Sequence, residues 1–164
     1  MTITQYAKSI TYGGLDGIIT TFAVVAGAIG GSLGTTAIII LGFSNLLADG
    51  FSMAAGDYLS STTEDGVNSK QALKNALVTF LSFNLFGLVP LLAYLLLIRI
   101  ATFSDQITLI LASLLVSLAL ITLGWVKAVI TGQARKTEII RTLVVGIVAA
   151  SVAYAIGQIL GTII

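Results

Sequence analysis

The chain has 164 residues, 57% hydrophobic and 9% charged, with a formal net charge of +1 and a mean hydropathy of +1.05. A soluble domain carries about 25% charged residues, so a chain this poor in charge cannot cover its surface with polar groups, and the bilayer must be its solvent. Cys and His are absent, which excludes disulfides, thiol or imidazole metal sites, Cys or His nucleophiles and Ser-His-Asp triads; no basic run suggests nucleic acid.

Five apolar stretches are long enough to span, at about 10–31, 36–60, 73–98, 106–128 and 141–163, since about 20 helical residues cross the ~30 Å hydrocarbon core. The expected fold is therefore an all-α membrane protein, a single transmembrane domain over 1–164. The first stretch contains Asp16 and is too long for a signal core, so it reads as a retained helix. Gly30-Gly31-Ser32-Leu33-Gly34 predicts a tight turn to the second span. Ser60 to Lys74 reads as a polar loop holding Glu64, Asp65, Lys70 and Lys74. Pro90 is expected to kink the third span, because it cannot donate a backbone hydrogen bond. Arg99 to Asp105 is a short connection, and Lys127 to Arg141 is a basic loop with Arg135, Lys136 and Glu138.

Orientation follows from Lys and Arg, which collect on the cytoplasmic side. One side of the membrane carries Lys8, Lys70, Lys74, Lys127, Arg135, Lys136 and Arg141, the other only Arg99. The N-terminus is expected in the cytoplasm and, with five spans, the C-terminus outside. Small residues recur every four positions in the first helix (Ala23, Gly27, Gly31) and in the last (Ala149, Ala153, Gly157, Gly161). That spacing lets backbones approach closely in lipid. Two readings stay open: packing inside one bundle, or the seam of a homodimer.

Three acids fall inside apolar stretches: Asp16, Asp49 and Asp57. An ionisable group in hydrocarbon costs several kcal/mol unless solvated or paired, so each is a functional hypothesis by default. On the second helix Asn45, Asp49, Met53 and Asp57 are spaced by four, which puts an amide, two carboxylates and a thioether on one slowly turning face. At 1.5 Å rise per residue, Asp16 lies ~12 Å inward from Lys8, Met53 ~10 Å and Asp49 ~16 Å inward from Ser60. By this estimate Asp16 and Met53 share a depth. A carboxylate with a thioether suits Fe²⁺ or Mn²⁺ better than Mg²⁺ or Ca²⁺, whose sites are all oxygen. Met53 by itself reads as packing, Asp57 as a surface cap, and Glu64 and Asp65 as solvated loop; as a metal path, the last two would form its cytosolic entry. No basic residue lies deep enough to neutralise Asp16 or Asp49. They must be protonated, hydrated or metal-bound, and a group alternating between proton and cation is the minimum for an antiporter.

The stretch Leu15-Asp16-Gly17-Ile18-Ile19-Thr20-Thr21-Phe22-Ala23-Val24-Val25-Ala26-Gly27 resembles the first helix of the vacuolar iron transporter family. Asn45-Leu46-Leu47-Ala48-Asp49-Gly50-Phe51-Ser52-Met53-Ala54-Ala55-Gly56-Asp57-Tyr58-Leu59-Ser60-Ser61 resembles its second helix. The resemblance implies five transmembrane helices, a homodimer, and export of Fe²⁺ or Mn²⁺ from the cytosol in exchange for protons. It places the pathway along the dimer interface, lined by helices 1 and 2, with Asp16 and Met53 contacting the metal. The metal is the transported substrate, and no permanently bound cofactor is implied. The chain departs from the best-known members in its short connection between helices 2 and 3. These carry a glutamate-rich cytosolic domain there, and the shorter form resembles the nodulin-like branch. The position of Asn45 is acidic in some members, with Asp49 one turn on. The short chain favours a prokaryotic plasma membrane.

Three rival readings remain at this stage. A passive divalent-cation channel would use the same acids without proton coupling. A non-transporting dimeric scaffold would use only the small-residue seams. An intramembrane aspartyl protease needs surroundings that Leu-Asp-Gly and Ala-Asp-Gly lack, so no enzyme is expected.

Overall fold

The computed structural model describes residues 6–63, 68–100 and 104–163. Five helices fill them: α1 (Ala7–Gly30), α2 (Thr35–Ser61), α3 (Ser69–Ile100), α4 (Asp105–Thr131) and α5 (Arg135–Ile163). All five are long and apolar enough to cross a membrane. Helices run past the apolar stretches because the backbone keeps its hydrogen bonds in helical form wherever water is scarce. Lys70 and Lys74 thus lie on α3, and the loop expected from Ser60 to Lys74 shrinks to the residues after Ser61 and before Ser69. The basic loop expected from Lys127 to Arg141 shrinks to Gly132-Gln133-Ala134. Gly132 ends α4 in the left-handed region at φ +68°, which glycine adopts without a Cβ clash. Asn68 caps α3 through its Oδ1, which accepts from the Gln71 N–H at 2.9 Å. Ser104 caps α4 in the same way, accepting from the Ile107 N–H at 3.4 Å. Pro90 is buried and α3 runs on as helix to both sides of it.

α1 is the central post, the most buried helix of the five, packed against all four others. Glycine makes this possible. A methyl group on Gly17 would strike the Phe83 carbonyl of α3, and one on Gly87 would meet the Gly17 carbonyl and the Thr21 hydroxyl. On the other side, Gly27 lies against the Ala153 carbonyl, Gly157 against the Gly27 carbonyl, and Gly161 against Gly31. The two small-residue rows therefore meet each other inside one chain, joining α1 to α5. This is the bundle-packing reading of these residues, which remain partly exposed along an open groove. The physical reason is that both rows are needed at once for two backbones to touch.

Two apolar clusters flank this post. Ile18 and Phe22 pack with Ala112, Val116, Leu120 and Leu123 of α4. Val25, Ala28 and Ile29 pack with Ile38 of α2 and Leu91 and Tyr94 of α3. The outer faces are apolar and open, for example Leu85, Leu92 and Leu96 on α3 and Val144 and Val148 on α5. In water such faces would drive aggregation; in lipid they are ordinary surface.

Glu138 departs most from its expected loop setting. It is 2% exposed and holds Lys127 of α4 at 2.7 Å and Arg141 at 2.8 Å. The Thr142 hydroxyl donates to its carbonyl, and Gly124 lets α4 come down onto Thr142 and Ile139. A buried carboxylate with two cationic partners fixes the register of the α4–α5 hairpin. Two predictions follow from this packing. Gly17→Ala and Gly157→Ala should each destabilise by about 1–3 kcal/mol through overpacking, while Leu85→Ala on the lipid face changes little; thermal unfolding in detergent measures all three. Glu138→Gln should lower the unfolding midpoint clearly more than Lys136→Gln does, since it leaves the Lys127 charge in place without its counter-charge.

Candidate metal path

α2 turns one face fully inward. Ile38, Gly42, Leu46, Gly50 and Ala54 are buried along it, with Gly42 against Leu91, and Gly50 against Phe83 and Asn84 of α3. Residues one position earlier on the helix, Asn45, Asp49 and Met53, are rotated about 100° from that face and stand half-buried on the flank toward α1. Asp57 is half-buried as well. α1 answers with Ser9, Tyr12 and Asp16. Ser9 donates to Asp57 Oδ2 at 3.0 Å. Tyr12 and Met53 line one cavity of about 220 Å³, together with Lys8, Ser9, Asp57, Ser60 and Thr79. About two helical turns inward from the Ser9–Asp57 contact, Asp16 comes level with Asp49. As one residue number rises along α1, its partner's falls along α2, so the two helices present an antiparallel polar stripe.

This register corrects the estimate of depth. Asp49, not Met53, is the partner of Asp16, and Met53 sits one turn nearer the Ser9 end, opposite Tyr12. The estimate measured each helix from its own charged end. The Gly31–Gly34 turn instead sets how far α2 is displaced along α1, and the end of an apolar run does not report that.

The acids differ in their surroundings. Among the described residues no Lys or Arg forms an ion pair with Asp16, Asp49 or Asp57; the ion pairs belong to Glu138. Asp16 holds its turn of helix through its carbonyl, which accepts from the Thr20 hydroxyl at 2.7 Å. Asp57 is the most heavily bonded. Its Oδ2 accepts from Ser9 and from the Thr79 hydroxyl of α3, and its Oδ1 accepts from Ser61 at 3.4 Å. The chain of contacts continues from Asn75 Nδ2 to Ser61 Oγ at 3.5 Å, and from Gln71 Nε2 to Asn75 Oδ1 at 2.9 Å. Ser82 of α3 donates to the Ile10 carbonyl at 2.7 Å, so α1, α2 and α3 are tied together at this end. Asn45 Nδ2 is buried without a hydrogen-bond partner, as are Thr21 Oγ1 and Asn84 Oδ1.

Glu64 and Asp65, the expected entry acids, lie outside the described residues. Among the described residues no three of His, Cys, Asp and Glu cluster as a metal site. A divalent ion on this stripe would meet at most two carboxylates at one level. The rest of its shell would come from the Asn45 amide, the Met53 thioether, hydroxyls, water or a second copy of the stripe. Sequence reasoning missed Ser9, Tyr12 and Thr79. Thr79 lies 22 residues from Asp57 on another helix, and a threonine in an apolar helix carries no local signal of such a role.

Removing Asp57 should loosen this end of the bundle, whereas the Asp49 carboxylate makes no hydrogen bond or ion pair among the described residues. Asp57→Ala is expected to destabilise by about 1–3 kcal/mol, from the hydroxyls it leaves unpaired. Asp49→Asn should leave stability unchanged or raised; unfolding midpoints of the two purified variants are the measurement.

The chain is similar to known proteins over most of its length. The family model described as VIT family matches residues 7–72 and 63–158, two stretches that meet in the α2–α3 connection. A protein named Vacuolar iron transporter from Plasmodium falciparum (isolate 3D7) is 26% identical over 222 aligned positions, covering 93% of this chain and 81% of that one. Vacuolar iron transporter homolog 4 of Arabidopsis thaliana is 25% identical, covering 96% of this chain and 85% of its own. The Vacuolar iron transporter of Toxoplasma gondii (strain ATCC 50861 / VEG) is 46% identical over 63 residues, 38% of this chain and only 21% of that protein's length.

Proposed function

This chain belongs to the VIT family, and on that premise we propose that it exports a divalent transition metal, Fe²⁺ or Mn²⁺, from the cytosol in exchange for protons. Its relatives are named as iron transporters rather than enzymes, and metal ion transport is the activity the family supports. The finer reading is ours, and one observation carries it: a stripe of donors on the α1–α2 flank, Asp57 and Met53 at one end and Asp16 with Asp49 deeper. None of these acids has a cationic partner among the described residues.

The physics of the stripe favours a mobile cation. Two carboxylates that repel each other in a low-dielectric slab are relieved by a divalent ion between them, or by a proton on one of them. Either guest excludes the other, which is the elementary condition for exchange. Met53 gives the path a soft donor that selects against Mg²⁺ and Ca²⁺. Asn45, one turn beyond Asp49, offers an amide whose nitrogen is unpartnered. Its oxygen can serve the ion on the far side of the acid pair.

The stripe lies on a lateral flank, with Tyr12 61% exposed beside it. Bare carboxylates on a flank facing lipid are costly, so we assign this face to a homodimer in which two stripes share one axis. The half-buried acids of the α1–α2 flank make it the face that gains most from a partner. The Lys and Arg bias puts the Asp57 end in the cytosol.

The test is uptake into proteoliposomes. Fe²⁺ or Mn²⁺ should accumulate against its gradient when a pH gradient is imposed, with protons moving the other way. Asp16→Asn and Asp49→Asn should each cut uptake by more than about tenfold, the low end of what loss of even a supporting group does to a metal site. Metal movement that proceeds downhill only, whatever the pH gradient, would replace the antiporter with a channel. Undiminished uptake in both variants would remove the pathway altogether.

A further inference from the structure

The transport reading treats Asp57 as one donor among several and assigns α3 no part in the path. The geometry points to more. The Asp57 carboxylate offers about four lone-pair positions. Two on Oδ2 are taken, by Ser9 of α1 and by Thr79 of α3. Oδ1 accepts only the long 3.4 Å bond from Ser61. The carboxylate is therefore held in one rotation with lone pairs to spare, and Asp57 borders the same cavity as Met53.

The two clamping hydroxyls are themselves fixed. Thr79 is 2% exposed and Ser9 is 7% exposed. A Cβ on Gly13 would press on the Thr79 carbonyl and on Ser82, so α1 and α3 are locked at this level with no slack. A surface cap would not need two buried donors from two other helices. A donor waiting for a cation does, because a carboxylate free to spin loses affinity each time it must be re-aimed.

We propose that Thr79, assisted by Ser9, is a positioning residue that fixes the Asp57 carboxylate at the cavity it shares with Met53, so that Asp57 and Met53 form the first station for the metal. The third helix thereby takes part in metal capture without touching the ion. This rests on the transport reading, and its experiment keeps the two apart.

Mn²⁺ binding to the full-length protein in detergent is titrated beside uptake into proteoliposomes and thermal unfolding, for the wild type and for Thr79→Val, Thr79→Ser, Ser9→Ala and Asp57→Asn. Thr79→Val, which keeps the shape and removes the donor, should weaken Mn²⁺ binding and raise the half-saturating concentration for uptake by about tenfold. The maximal rate should stay near wild type, the unfolding midpoint should fall less than in Asp57→Ala, and Thr79→Ser should restore both binding and midpoint. Ser9→Ala should act in the same direction, and Asp57→Asn more strongly. The inference is overturned if the wild type binds and carries Mn²⁺ while Thr79→Val and Ser9→Ala do so with wild-type affinity. It is also overturned if Thr79→Ser is as weak as Thr79→Val and both unfold early, since that marks a packing role alone. If the wild type itself neither binds nor carries metal, the transport reading fails first and takes this inference with it.

Discussion

Close approach of α1 to its neighbours governs the rest of the molecule. In lipid no hydrophobic force drives helices together, so packing has to come from surfaces that fit. Gly13 and Gly17 bring α1 onto α3, and Gly27, Gly31, Gly157 and Gly161 bring it onto α5. With those two faces committed and Ile18 and Phe22 turned to α4, the remaining flank beside α2 is where Ser9, Tyr12 and Asp16 lie. The polar stripe is thus a consequence of backbone contact elsewhere on the same helix.

The chain shows two ways of keeping an acid in a low-dielectric setting. Glu138 is matched with Lys127 and Arg141 and serves to pin two helices. Asp16 and Asp49 have no such partners among the described residues and stand at one level of the stripe. A paired acid is satisfied in a single state, whereas an unpaired couple needs a proton, water or a cation. Asp57 lies between these cases. Hydroxyls from three helices stabilise its charge without cancelling it, which leaves it attractive to a cation.

Much of this was legible beforehand. Five helices follow from the length of the apolar runs, because a bilayer admits few alternatives for an apolar chain. The acids on α2 and their common flank follow from four-residue spacing on a helix. The motifs around Asp16 and Met53 pointed to the family that the match over residues 7–72 and 63–158 establishes. Spacing left one question open and led one estimate astray. The small residues of α1 and α5 carry the same pattern whether they meet in one chain or across two, and spacing holds no information about which. The depth of Asp16 was matched to Met53 because charged ends were taken as a common origin.

What the amino-acid sequence determined by itself is the set of helices, their apolar faces and the presence of acids that lipid does not explain. These properties depend on composition and on a helical period, both local. What only the folded chain decided is who meets whom: Asp16 with Asp49, Asp57 with Ser9 and Thr79, Gly27 with Gly157, Glu138 with Lys127. Such pairings depend on the turn between helices and on which glycine faces which carbonyl. Those are relations between distant segments, set by steric fit in three dimensions.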